Sequence, residues 1–306
     1  MLTDKIAKFT FPPSKLVYVT SGQSVLHSGS ANLMSDCNHE EADTRIVVHA
    51  QHALQQGMKN IEIRTVDTDV IVILASMFYD LLVIQPLADI WVAFGVGKNY
   101  RFLSINAICH TLGRPKAQAL PVFHALTGCD TTSAFRGKGK KSAWQAWQAF
   151  EEVTDTFVHL SLHPFEDLNA DSSYFTAIER FIVVLYDRTS PLSLVNDARE
   201  ELFCKRNRSV DRLPPTQDAL LQHTRRSLYQ AGIWTTSTQG QQVVPSPEEF
   251  SWTKSSSTWI PVWITIPEVS KGCRELIKCH CKGDCSNCTC AKANIACSPL
   301  CNCKCN

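Results

Sequence analysis

The chain has 306 residues, 44% of them hydrophobic, and 30 Lys and Arg stand against 29 Asp and Glu for a formal charge of +1. That is a globular composition; it excludes a disordered, collagen-like or histone-like chain but leaves room for local basic patches. The opening MLTDKIAKFTF lacks the apolar core of a secretory leader, and the longest apolar run, 70–79, is far short of the ~20 residues that span a bilayer. A soluble, non-secreted protein of the nucleus or cytoplasm is expected.

From 16 to 112 strand-like and helix-like runs alternate, which predicts an α/β layer fold with a mostly parallel sheet. KLVYVT (16–21) reads as a strand. Residues 39–56 read as a helix with Ala42, Ile46, Ala50, Ala53 and Leu54 on one side and Gly57 as its stop. A strand follows at 61–66. The apolar run 70–78 fits a buried helix or a buried strand equally well. Residues 90–96 and 100–105 flank Gly97, Lys98 and Asn99 as a hairpin, and helices are expected at 105–112, 116–126 and 140–152.

Residues 172–231 read as helical, with Ala177, Ile178, Phe181, Val184 and Leu185 as one stripe. A second helix is expected at 193–206, and a third after Pro214 and Pro215, capped by Thr216. The Ser, Thr, Gln and Pro content of 234–257 suggests a linker or docked arm, its tryptophans arguing for packing. Four regions result: an α/β domain (1–155), a helical extension (156–233), a linker (234–270) and a cysteine-rich module (271–306).

Acids concentrate where an α/β fold places its ligands. Glu41 and Asp43 open a helix, Asp67 and Asp69 close the strand IEIRTV, and Asp130 follows Thr127, Gly128 and Cys129. Taken singly, these are ordinary capping, dipole and turn residues. Together they form a set of oxygen donors suited to Mg²⁺ or Mn²⁺, and paired ions of that kind hydrolyse phosphodiesters. Arg136, Gly137, Lys138, Gly139, Lys140 and Lys141 then precede a helix. Glycines let a backbone approach phosphate, and cations supply sequence-independent attraction; a nuclear-localisation run or a solvated loop is the plainer alternative. His124, five residues before Cys129, reads as a packed histidine or a ligand.

EADT, VDTDV and TGCDTTSAFRGKGKKSA resemble the internal motifs of the flap-endonuclease/XPG branch of PIN-like nucleases. HEEADTRI, FHALTGCDTTS and PPTQDALLQH also resemble transposon-associated animal proteins that carry this nuclease-like domain. The resemblance implies a PIN-like, Rossmann-like sheet and makes Glu41, Asp43, Asp67, Asp69 and Asp130 the metal ligands. It makes Gly137 to Lys141 a hairpin that holds duplex backbone. Because the family places a further aspartate-bearing strand before the EADT segment, the chain is expected to begin inside the domain.

Ten of the fourteen cysteines lie from Cys273 to Cys305, without a secretory leader, which indicates metal binding rather than disulfides. Cys279, Cys281, Cys285, Cys288, Cys290, Cys297, Cys301, Cys303 and Cys305 sit among almost no apolar residues. Metal must therefore supply the folding free energy, on the order of 10 kcal/mol for each structural zinc. Nine thiolates satisfy about three tetrahedral Zn²⁺ ions if three of them bridge. The spacing resembles the tesmin-type CXC domain, which implies DNA binding. The sequence thus predicts a divalent-metal nuclease acting on structured DNA. Its alternatives are an inactive, transposon-derived DNA-binding remnant and a zinc-stabilised interaction adaptor.

Overall fold

The computed structural model describes residues 11–12, 15–28, 34, 36–204, 212–265 and 290. The apolar run that periodicity left open is a helix, α2 (Thr68–Ile84, counting α1 as Ala42–Gln55). The side chain of Asp67 caps it by accepting from the Asp69 N–H. Seventeen residues are too long for a typical core strand, and helix α2 is buried almost all round, at Val70, at every residue from Val72 to Phe78 and at Leu81. It joins strand β3 (Asn60–Thr65) to β4 (Asp89–Phe94), which pair in parallel with Ile61 opposite Ile90 and Ile63 opposite Val92. Before them, β1 (Tyr18–Ser21) and β2 (Ser24–His27) form a separate antiparallel pair.

The protein is α/β, but the expected mostly parallel sheet is not what forms. Strand β5 (Arg101–Ser104) returns antiparallel to β4 through a short helical turn at Gly97–Asn99. Parallel pairing needs a crossover of roughly a dozen residues or more, and this link is far shorter. The sheet therefore holds three strands in the order β3-β4-β5, with one parallel pair.

Helix α3 (Ile105–Leu126) follows in two limbs that meet at Gly113, whose φ of 75° breaks the helical path. Then come α4 (Lys140–Ala149), shorter than expected, α5 (Val153–Leu162), α6 (Ser173–Tyr186), α7 (Val195–Cys204) and α8 (Gln217–Thr235). The expected stripe on α6 is buried at Ile178, Phe181, Val184 and Leu185. An aromatic cluster of Phe123, Trp147, Phe157 and Phe181 joins α3, α4, α5 and α6, with Phe123 and Trp147 centroids 4.7 Å apart.

Of the two readings of the segment after 234, linker or docked arm, the arm is what forms, packed as far as residue 263. Asn38 Nδ2 donates to Gln242 O at 2.9 Å while Asn38 Oδ1 accepts from Gln242 N at 2.7 Å, and Phe250 is buried. Strands β6 (Trp252–Ser255) and β7 (Thr258–Pro261) form a hairpin. Arg226 of α8 donates to Val262 O at 2.5 Å and lies 5.9 Å from the Trp252 ring and 5.3 Å from the Trp263 ring. The α/β elements, helices and arm thus share one unit, Met1–Trp263, and Ile264–Asn306 is the second. The cysteine module lies outside the described residues apart from Cys290, which is buried. Among the described residues no helix is long and apolar enough to cross a membrane.

Candidate active site

The acidic segments sit at three junctions between elements. Strand β3 ends at Thr65, whose Oγ1 accepts the Asp67 N–H at 3.0 Å; Asp67 Oδ1 then accepts the Asp69 N–H at 2.9 Å. This local chain of bonds starts α2 and leaves the Asp69 side chain buried. Its Oδ1 accepts from His124 Nε2 at 2.9 Å, so that nitrogen carries the proton. His124 is therefore a packed histidine with a specific partner, one of the two readings its sequence position left open.

At the start of α1, Glu41 occupies the capping position but its side chain makes no cap bond. It reaches instead to α8, where Oε1 accepts from Gln230 Nε2 at 2.9 Å and Oε2 from Trp234 Nε1 at 3.3 Å. Gln230 also accepts from Thr131 Oγ1 at 2.9 Å, tying the residue next to Asp130 to the same helix. Asp130 itself is exposed, on a loop that begins at Gly128. Gly128 has φ of +105°, and a β-carbon there would lie 2.8 Å from the Ala134 backbone, so this position accepts only glycine without distortion.

Asp43 reports that these segments share one field. Burial, and then the charges of Asp67, Asp69, Glu41 and Asp130, push its carboxyl up to about 6. Each of the other four acids singled out in the sequence contributes, and each does so by repulsion. The donors are hard oxygens, the chemistry that Mg²⁺ and Mn²⁺ take. Among the described residues no three of these acids bring ligand atoms within 4.8 Å of one another, a spacing met by His159, His163 and Glu166 alone. The five acids, taken together as an acidic rim, thus share a field without forming a compact ligand set.

Lys140 is a cation whose charge interacts with Asp69. Its Nζ donates to His124 O at 2.5 Å and to Thr127 Oγ1 at 2.9 Å. Burial pushes its ammonium down to about 8, against the opposing pull of Cys129 and Asp69. The expected hairpin is a turn at 136–137 leading into α4, with Gly139 at the capping position. Arg136 and Lys141 are exposed, Gly137 and Gly139 are exposed, and the Lys138 Nζ lies 5.0 Å from the Tyr186 ring centroid. The six residues expected to grip phosphate thus divide into four exposed ones, Lys138 half-buried against Tyr186, and Lys140 turned inward.

Gln230 and Trp234 were not among the residues the sequence pointed to. Their signal was a polar stripe on α8: His223, Arg226 and Gln230 are all buried, at spacings of three and four. His223 Nε2 donates to Leu126 O at 2.8 Å, and burial pushes that imidazole down to about 4, so it is neutral. A helix with polar groups on its inner face is holding something other than a plain apolar core.

No family model matches the chain, and neither a curated protein nor a solved structure is similar to it.

Proposed function

We propose that the protein is a PIN-like, divalent-metal-dependent nuclease acting on structured DNA through the acidic rim. The observation that carries this reading is the Asp43 carboxyl, raised to about 6 by burial and by four neighbouring acids. Repulsion of this kind is costly to maintain unless a cation relieves it, and strongly perturbed groups cluster at functional sites. Glu41, Asp43, Asp67, Asp69 and Asp130 would hold Mg²⁺ or Mn²⁺, which would supply an activated water and charge neutralisation at a phosphodiester.

The chain's own groups prepare the rim. His124 orients Asp69, and Gln230 with Trp234 orients Glu41, so two carboxylates are fixed before any ligand arrives. Arg136 and Lys141 offer outward charge for the nucleic-acid backbone at the start of α4. Lys140 holds the 124–127 end of α3 in place. In this reading the nine cysteines from Cys279 to Cys305 bind about three Zn²⁺ and add a DNA contact, as nine thiolates can satisfy three tetrahedral ions. A nuclear protein follows from such a substrate.

One observation favours a second reading. Asp69 already has His124, Glu41 already has Gln230 and Trp234, and Asp67 caps α2. An acidic cluster satisfied in this way also suits an inactive, transposon-derived DNA-binding remnant. Incubating the full chain with labelled flap, bubble and duplex DNA separates the two. Cleavage that needs Mg²⁺ or Mn²⁺ and is lost in Asp67→Asn and Asp43→Asn supports the nuclease. Salt-sensitive binding without cleavage supports the remnant, and no binding at about 50 mM salt leaves an interaction adaptor.

A further inference from the structure

At the far end of α5, away from the acids just described, the chain makes a cluster of a different chemistry. His159 and His163 are one helical turn apart, and the chain then reverses so that Glu166 returns to them. One ligand atom from each of the three lies within 4.8 Å of the others. His159 Nε2 meets Glu166 Oε2 at 2.8 Å. The His159 ring is sandwiched, with His163 stacked at 4.1 Å and Tyr174 at 4.0 Å.

The reversal is built rather than slack. Phe165 sits at φ of 64°, a left-handed conformation that is strained for a residue with a side chain. It is held there by packing at 6.0 Å from Tyr229 and 6.1 Å from Phe250. Arg225 fixes the chain just beyond, donating from Nε to Leu168 O at 2.8 Å and pairing with Asp167 at 3.0 Å. Glu166 is therefore presented to His159 by a strained turn anchored on α8.

We propose that His159, His163 and Glu166 bind one divalent transition-metal ion of the zinc class. Two imidazoles and a carboxylate are the donor set of open zinc sites, which leave a fourth position to water. The hydrogen bonds already assign the lone pairs. His163 Nδ1 donates to His159 O at 2.9 Å, so its Nε2 keeps a lone pair for the ion. With Nε2 of His159 protonated toward Glu166, its Nδ1 accepts from the Tyr174 hydroxyl at 3.1 Å. On binding, the His159 proton moves from Nε2 to Nδ1, which then donates a hydrogen bond to the Tyr174 oxygen while the hydroxyl hydrogen of the half-buried Tyr174 turns to solvent, with no net proton change at either ring. Tyr174 is then the outer partner that sets the tautomer of a ligating histidine. This site stands independently of the proposed nuclease activity.

The test is zinc content at equilibrium dialysis of the full chain against a zinc buffer, beside His163→Gln, Glu166→Gln and Tyr174→Phe. His163 is exposed, so its substitution spares the core, and circular dichroism verifies the fold. The wild type is expected to hold one zinc equivalent more than His163→Gln, a difference to which the cysteine segment contributes nothing. Tyr174→Phe is expected to keep the site but weaken it about tenfold. After exchange to cobalt, the wild type minus His163→Gln spectrum should show no thiolate-to-metal charge-transfer band. Equal zinc content in wild type and His163→Gln overturns the proposal. So does a lost equivalent whose cobalt spectrum carries the sulfur band.

Discussion

Glu41 and Gln230, 189 positions apart, are joined by a 2.9 Å hydrogen bond that carries α8 to the mouth of α1. The same glutamine accepts from Thr131, so a single side chain couples the first and last acidic segments of the rim. A carboxylate held on both oxygens, as Glu41 is by Gln230 and Trp234, has lost its rotamer freedom before any ligand arrives.

Replacing Gln230 with leucine removes both bonds at nearly constant volume and leaves the Thr131 hydroxyl and one Glu41 oxygen without these partners. Each unsatisfied group costs about 1–3 kcal/mol when buried. Urea denaturation should show a loss toward the lower end of that range, because Glu41 is only half-buried and Thr131 is exposed. A midpoint equal to wild type would mean that the bridge adds nothing to stability.

Asp43 makes the metal-free protein sensitive to pH. Its folded carboxyl lies at about 6 against 3.8 for the free side chain, so the folded state holds this proton more tightly than the unfolded state. The contribution therefore favours folding below pH ~4, fades as pH rises through about 6, and is a constant penalty above that. Asp43→Asn should raise metal-free stability at pH ~7.5 by about 1 kcal/mol once solvent screening is allowed for. The gain should shrink toward pH ~4, and saturating Mn²⁺ should reverse it by stabilising the wild type alone. Thermal melts at the two pH values, with and without Mn²⁺, measure all of this.

Gly128→Ala tests the loop that carries Asp130. The φ of +105° and the 2.8 Å approach to Ala134 leave no room for a methyl group. A loss of at least about 2 kcal/mol is expected, read from chemical denaturation, since strain and backbone collision add. Any cleavage activity should fall with it, and a neutral result would show that the loop can shift without cost.

Lys140 and Lys141 are neighbours with opposite roles. Lys140→Met removes two inward bonds from a half-buried ammonium and should lower the melting temperature. Lys141→Ala, at an exposed position, should leave stability unchanged and reduce the dependence of DNA affinity on log salt by about one unit of slope. Fluorescence anisotropy across a salt series separates the two, and equal effects from both substitutions would contradict the division.

Much of the local structure was legible because local bonds determine it. Asp67 and Thr65 end a strand and start a helix through bonds spanning two residues, and such bonds can be read from a few letters. The two limbs of α3 were expected as separate helices at 105–112 and 116–126, and the β4–β5 hairpin was legible from Gly97, Lys98 and Asn99. The 70–78 run was not, because a segment buried on every side shows no period. The segment after Trp234 read as a linker or a docked arm, because its polar residues suggest solvent and its tryptophans suggest packing. In the fold, the Asn38 side chain satisfies both backbone groups of Gln242, 204 positions away.

By itself, the sequence determined that Glu41 and Asp43 open a helix and that Asp67 follows a strand, since capping and turn bonds reach only two to four residues; it did not place Asp69 inside α2. Only the tertiary structure decided that Asp43 feels four other carboxylates, that Glu41 answers to Gln230 and Trp234, and that Lys140 points inward. Charge repulsion and the loss of water depend on distance through space. That distance is set by how α1, α2, α3 and α8 pack, and no spacing along the chain encodes it.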